Sequence, residues 1–181
     1  MVTRREFMDA LAVGAAGLAV GTTAKSYGQI LGSNDRLNFA VIGLNGRAYA
    51  HLSALKANRS AARISHVCDV DSNILKKFAD STQREMGEAP VSDKDFRRIL
   101  EQKDVDAITI ATPDHWHTPM AIAGLQAGKH VYVEKPCSHN PAEGEMLVQA
   151  QQKYGRLVQM GNQQRSSPHT IEIVSTLRSS V

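Results

Sequence analysis

Asn38-Phe-Ala-Val-Ile-Gly-Leu-Asn-Gly-Arg-Ala48 is an apolar run that passes through two glycines into a helical stretch from Arg47 to about Asn58. A strand that turns through glycine straight into a helix is the opening of an α/β unit. The turn follows the pattern G-x-G-x-x-G/A in its first and third places. Gly43 stands where a tight turn needs free φ, and Ala48 is small enough for the place where helix and strand pack closely. Asn45 replaces the second glycine, whose missing side chain lets the backbone approach a pyrophosphate. Asn tolerates left-handed φ better than most residues, and Gly46 follows at once. Gly43, Asn45, Gly46, Arg47 and Ala48 are therefore candidates for a dinucleotide-binding turn, with a turn that only reverses the chain as the alternative.

An acidic residue is expected about 20 residues further on, to accept hydrogen bonds from a ribose. Ile64 to Asp69 is strand-like and ends in that residue. Asp71 lies two positions later, and no Lys or Arg is adjacent in sequence to welcome a 2′-phosphate, so NAD is favoured over NADP. Asp69 could instead cap the helix that follows, but Asp71 or Ser72 fills that role better, which leaves Asp69 free.

A third strand, Asp106 to Thr112, runs into Pro113-Asp114-His115-Trp116-His117, and a fourth, Val131-Tyr132-Val133, delivers Glu134, Lys135 and Pro136 together. In an open α/β sheet, ligands bind outside the carboxyl ends of the strands, so a carboxylate and an amine at that edge suit an active site. The alternative is a solvated surface pair of Glu134 with Lys135, worth ~0–1 kcal/mol. His115 and His117 have a plain alternative as well, capping the helix from Thr118 to Ala127 that Gly128 closes. A zinc set of His115, His117 and Cys137 is chemically possible, although nothing in the spacing requires it. Trp116 either stacks on a ring at the pocket mouth or anchors packing.

The phrases Ala-Thr-Pro-Asp-His-Trp-His (111–117), Gly-Lys-His-Val-Tyr-Val-Glu-Lys-Pro (128–136) and Val-Gln-Met-Gly-Asn-Gln-Gln-Arg (158–165), in this order, resemble the glucose-fructose oxidoreductase, inositol dehydrogenase and MocA (Gfo/Idh/MocA) family. The resemblance covers residues 36 to about 170. It implies a nicotinamide cofactor lying across the strand ends, with Thr112, Pro113 and His117 beside it and Glu134-Lys135-Pro136 near the nicotinamide. Gln163 matches a position where many members place Asn or Gln against the cofactor. Lys135 matches the lysine that contacts cofactor and substrate, and with His117 it is the candidate catalytic residue; an ammonium can stabilise the alkoxide that develops as hydride leaves. The resemblance further implies an NAD-dependent oxidoreductase acting on a sugar, polyol or sugar derivative. A glycosidase that oxidises its sugar transiently and a non-catalytic binding relative are the alternatives, the second supported by Asn45.

The remaining elements continue an alternation of β and α. Ile74, Leu75, Phe78 and Ala79 recur at helical spacing, and a capped turn around Ser92 to Asp95 leads to Phe96, Ile99 and Leu100. Asn140-Pro141-Ala142-Glu143 starts a helix that Gly155 stops, and Leu157 to Met160 is a last strand. The expected fold is an α/β, doubly wound parallel sheet (Rossmann) over residues 36–160, with right-handed crossovers. Ser166-Ser167-Pro168 begins a helix with Ile171, Ile173, Val174 and Leu177. Residues 161–181 would thus lead into a second α/β domain, absent here, that in the family carries the substrate pocket, usually the general base, and the oligomer contacts.

Thr3-Arg4-Arg5-Glu6-Phe7-Met8, followed by a mildly apolar Ala- and Gly-rich run to Val20, resembles a twin-arginine export signal in residues 1–28. It implies the twin-arginine export machinery as a partner and a periplasmic or otherwise exported protein, with an uncleaved membrane anchor also open. Without residues 1–28, the basic and acidic counts fall from 21 and 18 to 18 and 16, so net charge goes from +3 to +2. No basic stripe marks nucleic-acid binding. Cys68 and Cys137 make no disulfide framework and read as structural thiols.

Overall fold

The computed structural model describes residues 36–179; the twin-arginine segment, residues 1–28, lies outside the described residues. In chain order the elements are β1 (Leu37–Ile42), α1 (Ala48–Ala57), β2 (Ala62–Cys68), α2 (Ser72–Met86), β3 (Val91–Asp93), α3 (Phe96–Leu100), β4 (Ala107–Ile110), a 3₁₀ turn (Asp114–Trp116), α4 (His117–Gln126), β5 (His130–Glu134), α5 (Pro141–Tyr154), β6 (Val158–Gly161), a second 3₁₀ turn (Gln163–Ser166) and α6 (Pro168–Ser179). The six strands form one sheet in the order β3-β2-β1-β4-β5-β6, every neighbouring pair parallel. This is the doubly wound order, in which the chain reverses its direction of travel across the sheet between β1 and β4.

Burial follows from the period-two alternation of the strands. From β1, Ala40 and Ile42 enter one apolar layer and Val41 the other. The first layer joins Ile108, Ile110, Val131 and Val133 of the sheet to Ile99, Met120, Leu125 and Leu147 of α3, α4 and α5. The second packs Ile64 and Val67 against Leu52 of α1 and Leu75 and Phe78 of α2. Phe78 is fully buried and meets Tyr49 edge-to-face at 5.1 Å. Burial pushes the Cys68 thiol up to about 12, as suits a structural cysteine. Both cysteines are free.

Caps fall where the residue chemistry directs them. The Asp71 carboxylate accepts from Asn73 and Ile74 amides at 2.7 and 3.3 Å, opening α2. Asn140 Oδ1 accepts from the Glu143 amide at 3.0 Å while Glu143 Oε2 accepts from the His139 amide at 2.9 Å, ahead of Pro141 at the first turn of α5. Strand β3 was not expected from the sequence: it has three residues, two of them Ser and Asp, and stands exposed at the sheet edge, so neither propensity nor alternation marks it. It pairs with His66–Cys68 and thereby brings the loop after Asp93 beside Asp69. At the far end α6 buries none of its residues among the described ones.

Candidate functional site

Gly43 leaves the end of β1 with φ +80°, its amide donating to the Cys68 carbonyl at 2.9 Å. A Cβ at this position would lie 2.8 Å from the carbonyl carbon and oxygen of Ala111 and from Cγ2 of Thr112, so only glycine lets the end of β1 approach the end of β4. Gly46 also has positive φ, at +20°, and among the described residues no non-glycine residue does. Asn45 therefore does not use its tolerance for the left-handed region. Its side chain instead folds back, Oδ1 accepting from the Gly46 amide at 2.9 Å. Ala48 is fully buried behind the turn, where a larger residue would part helix from sheet.

Asp69 follows the end of β2, but it is not free: Oδ2 accepts from the Leu44 amide at 2.8 Å and Oδ1 from the Asp71 amide at 3.0 Å. The carboxylate ties the glycine turn to β2 and retains acceptor capacity on both oxygens. It lines a cleft of about 520 Å³ together with Gly43, Asn45, Thr112, Pro113 and the aromatic pair Phe96 and Trp116, whose rings meet at 6.4 Å. The sequence offered no cation beside Asp69, yet Lys94 and Arg97 stand on the wall of this same cleft because β3 pairs with β2. Arg97 pairs with Asp95 at 3.2 Å and its guanidinium lies 5.0 Å from the Phe96 ring centroid.

A second cleft, of about 310 Å³, shares Ala111 and Thr112 with the first and continues past Arg47, Asp114, His117, Glu134, Lys135 and Gln163. The expected surface pair of Glu134 with Lys135 is not formed. Glu134 is 6% exposed, and its Oε1 accepts from Arg47 Nε at 2.7 Å and Gln163 Nε2 at 3.0 Å. Gln163 also donates to the Tyr132 hydroxyl at 3.1 Å. Glu134 raises the Arg47 pKa. Lys135 lies exposed at the cleft rim. Pro136 lies behind it, its carbonyl 2.6 Å from His117 Nδ1, while His117 Nε2 lies 2.8 Å from the Thr112 carbonyl. His117 is 2% exposed and its ring lies between these two carbonyls, bridging the loops after β4 and β5. Those two contacts also cover the nitrogens a zinc ion would need. Among the described residues no three His, Cys, Asp or Glu side chains are grouped as metal ligands.

His51 is the site neighbour that sequence reading missed. It lies four residues after Arg47, on the same face of α1, and that spacing was the available signal. Its ring sits edge-on to Tyr132 at 5.3 Å, and its Nε2 is 3.1 Å from Glu134 Oε1 without the alignment of a hydrogen bond. Burial lowers the His51 pKa; Glu134 opposes that shift and Arg47 adds to it.

The two clefts fit an extended dinucleotide on three grounds. The glycine approach at Gly43 opens the strand ends, Asp69 waits at the end of β2, and the buried Thr112 hydroxyl has no partner among the described residues where the clefts meet. Residues 37–162 match the Gfo/Idh/MocA oxidoreductase family, NAD-binding Rossmann fold. A glycosyl hydrolase family 109 protein of Saccharopolyspora erythraea is 30% identical over 173 residues, covering 85% of this chain and 38% of its own length. An inositol 2-dehydrogenase/D-chiro-inositol 3-dehydrogenase of Shouchella clausii is 32% identical over 139 residues, 76% of this chain and 39% of that protein. Among solved structures, the WlbA dehydrogenase of Bordetella pertussis, in complex with NADH and UDP-GlcNAcA, is similar with a TM-score of 0.61 and 25% identity over 68% of this chain and 35% of that one. An NAD binding oxidoreductase from Klebsiella pneumoniae gives a TM-score of 0.67 and 26% identity over 78% and 39%. The chain thus spans well under half the length of each.

The lowered His51 pKa makes stability depend on pH. Below its unfolded value of about 6.5 the unfolded chain binds more protons at this residue than the folded one, so the His51 contribution to stability falls as pH drops through that window and is level above it. His66, also lowered by burial, acts with the same sign. Melting temperatures should therefore decline between about pH 7 and 5, and His51→Phe should reduce the decline without abolishing it. An undiminished decline in the variant would remove His51 from this account.

Proposed function

The chain belongs to the Gfo/Idh/MocA oxidoreductase family, and from that premise we propose that it is the cofactor-binding part of an exported, NAD-dependent enzyme that transfers hydride to or from a sugar, polyol or sugar derivative. The observation that carries this reading is the run of two clefts, meeting at Ala111 and Thr112, from Asp69 at the end of β2 to Lys135 after β5. Asp69 would accept from the adenosine ribose. Thr112 and Pro113 would line the middle, and Glu134 and Gln163 the nicotinamide end. When bound, the nicotinamide supplies or accepts the hydride. Lys135 would donate a hydrogen bond from Nζ to the reacting oxygen and stabilise the negative charge that develops there. His117, with both ring nitrogens on carbonyl oxygens, would fix the two loops on which Thr112 and Lys135 stand. A base for the hydroxyl proton would come from the further length that the relatives have.

A second reading rests on the family 109 glycosyl hydrolase relative: oxidation would be transient, the aglycone would be eliminated, water would add in its place, and the hydride would return to the sugar. Export is supported by Arg4 and Arg5 ahead of the apolar run.

NAD should bind more tightly than NADP, because Asp69 repels a 2′-phosphate and, of the two cations on the same wall, Arg97 is paired with Asp95, which leaves Lys94 to offset the repulsion only in part. Titration with both cofactors tests this, equal affinity or an NADP preference sinks it, and Asp69→Ala should narrow the gap. In the complete enzyme Lys135→Met should lower kcat about 10²–10³-fold, as for loss of one electrostatic donor, while NAD affinity changes far less. A near-normal kcat would exclude Lys135 from the chemistry. Net NADH formation during turnover separates the dehydrogenase from the transient-oxidation reading. Changing Arg4 and Arg5 to Lys should hold the protein in the cytoplasm, and unchanged fractionation would refute the twin-arginine route.

A further inference from the structure

Resting on the dinucleotide reading of this site, we propose that the Arg47 guanidinium is the principal contact to the cofactor's diphosphate, and that Glu134 is the positioning residue that holds it there. A glycine turn ordinarily meets a diphosphate with outward-pointing backbone amides. In this chain those donors are largely spent within the protein. The Gly43 amide donates to the Cys68 carbonyl, Ala48 to the Asn45 carbonyl and Tyr49 to the Gly46 carbonyl, at 2.9, 2.9 and 3.3 Å. The Leu44 amide donates to the Asp69 carboxylate at 2.8 Å and the Gly46 amide to Asn45 Oδ1 at 2.9 Å.

Two residue choices cause this. Asn45, in place of the second glycine, brings an acceptor into the turn, and Asp69 brings a full negative charge to its mouth. An incoming diphosphate would meet fewer free donors than such a turn usually offers, next to the carboxylate that ends β2, so a cation is suited to offset both.

Arg47 is that cation. It follows Gly46, beside which an added Cβ would find no atom of the described residues within 4 Å, so among these residues the space next to the turn is open. A guanidinium carries five N–H donors. Glu134, itself nearly buried, takes the one on Nε at 2.7 Å, and the Tyr132 phenol lies against the same group. The side chain remains 43% exposed and lines the smaller cleft. Anchored through Nε, the planar terminal nitrogens keep the fork geometry that suits a pair of phosphate oxygens.

The test is equilibrium titration of the chain, Arg47→Met and Arg47→Lys with NAD, ADP-ribose and adenosine at several salt concentrations. Arg47→Met should weaken NAD and ADP-ribose about 10–100-fold, the range of a charged hydrogen-bonded contact, and leave adenosine within about twofold. It should also flatten the salt dependence of ADP-ribose binding. Arg47→Lys should fall between, since it keeps the charge and loses the fork. Melting curves check that Glu134, left without its partner, has not unfolded the methionine variant, in which case the lysine variant carries the decision. ADP-ribose affinity within about twofold of the parent overturns the proposal. So does an equal loss for adenosine, which would make Arg47 a prop of the turn. An unaltered chain that binds none of the three ligands overturns the dinucleotide reading itself.

Discussion

The contact of Gly43 with the Ala111–Thr112 peptide is the constraint on which the site depends. A methyl group there would stand 2.8 Å from backbone atoms that are fixed by the β1–β4 pairing, so relief would require the two central strands to part. That close approach lets the chain leave β1 towards one face of the sheet and β4 towards the other. The opening between them is where the two clefts meet. Nothing larger than hydrogen fits, and φ +80° separately disfavours any side chain.

Around that opening the protein groups its charges by pairing. Glu134 is tolerated in a nearly buried position because Arg47 and Gln163 converge on one of its oxygens, whereas removing either partner would leave a desolvated carboxylate. The same oxygen lies beside His51, whose burial favours the neutral ring. The network ties the glycine turn of β1 to the end of β5, and Lys135 leaves directly from it. Asp69 does the corresponding task at the other end, joining the turn to β2 through the Leu44 amide. One short turn is thus held from both sides by carboxylates 65 residues apart in sequence.

Much of this was legible in the sequence because the information was local. The β1 turn, the Asp71 and Asn140 caps and the order of five strands all follow from spacing within a dozen residues. Strand β3 was not legible, being short and solvent-facing. With it went the position of Lys94 and Arg97, which a local search for cations beside Asp69 could not find. The partners of Glu134 were hidden for the same reason: Arg47 is 87 residues away, and its nearest charged neighbour in sequence, Lys135, is not the one it pairs with. His117 was readable as a site residue by motif, but its engagement with two carbonyls could only come from the folded loops. Asn45 was recognised as a departure, and its physical consequence, the capture of the Gly46 amide, needed the structure.

The central claim is that both clefts are one site occupied by a single extended cofactor. Following backbone amide resonances while NAD is added tests it most directly, with Leu44 and Asp69 reporting one end and Lys135 and Gln163 the other. Both groups should shift along one saturation curve with a common dissociation constant. Shifts confined to one end, or two ends that saturate at different concentrations, would contradict it.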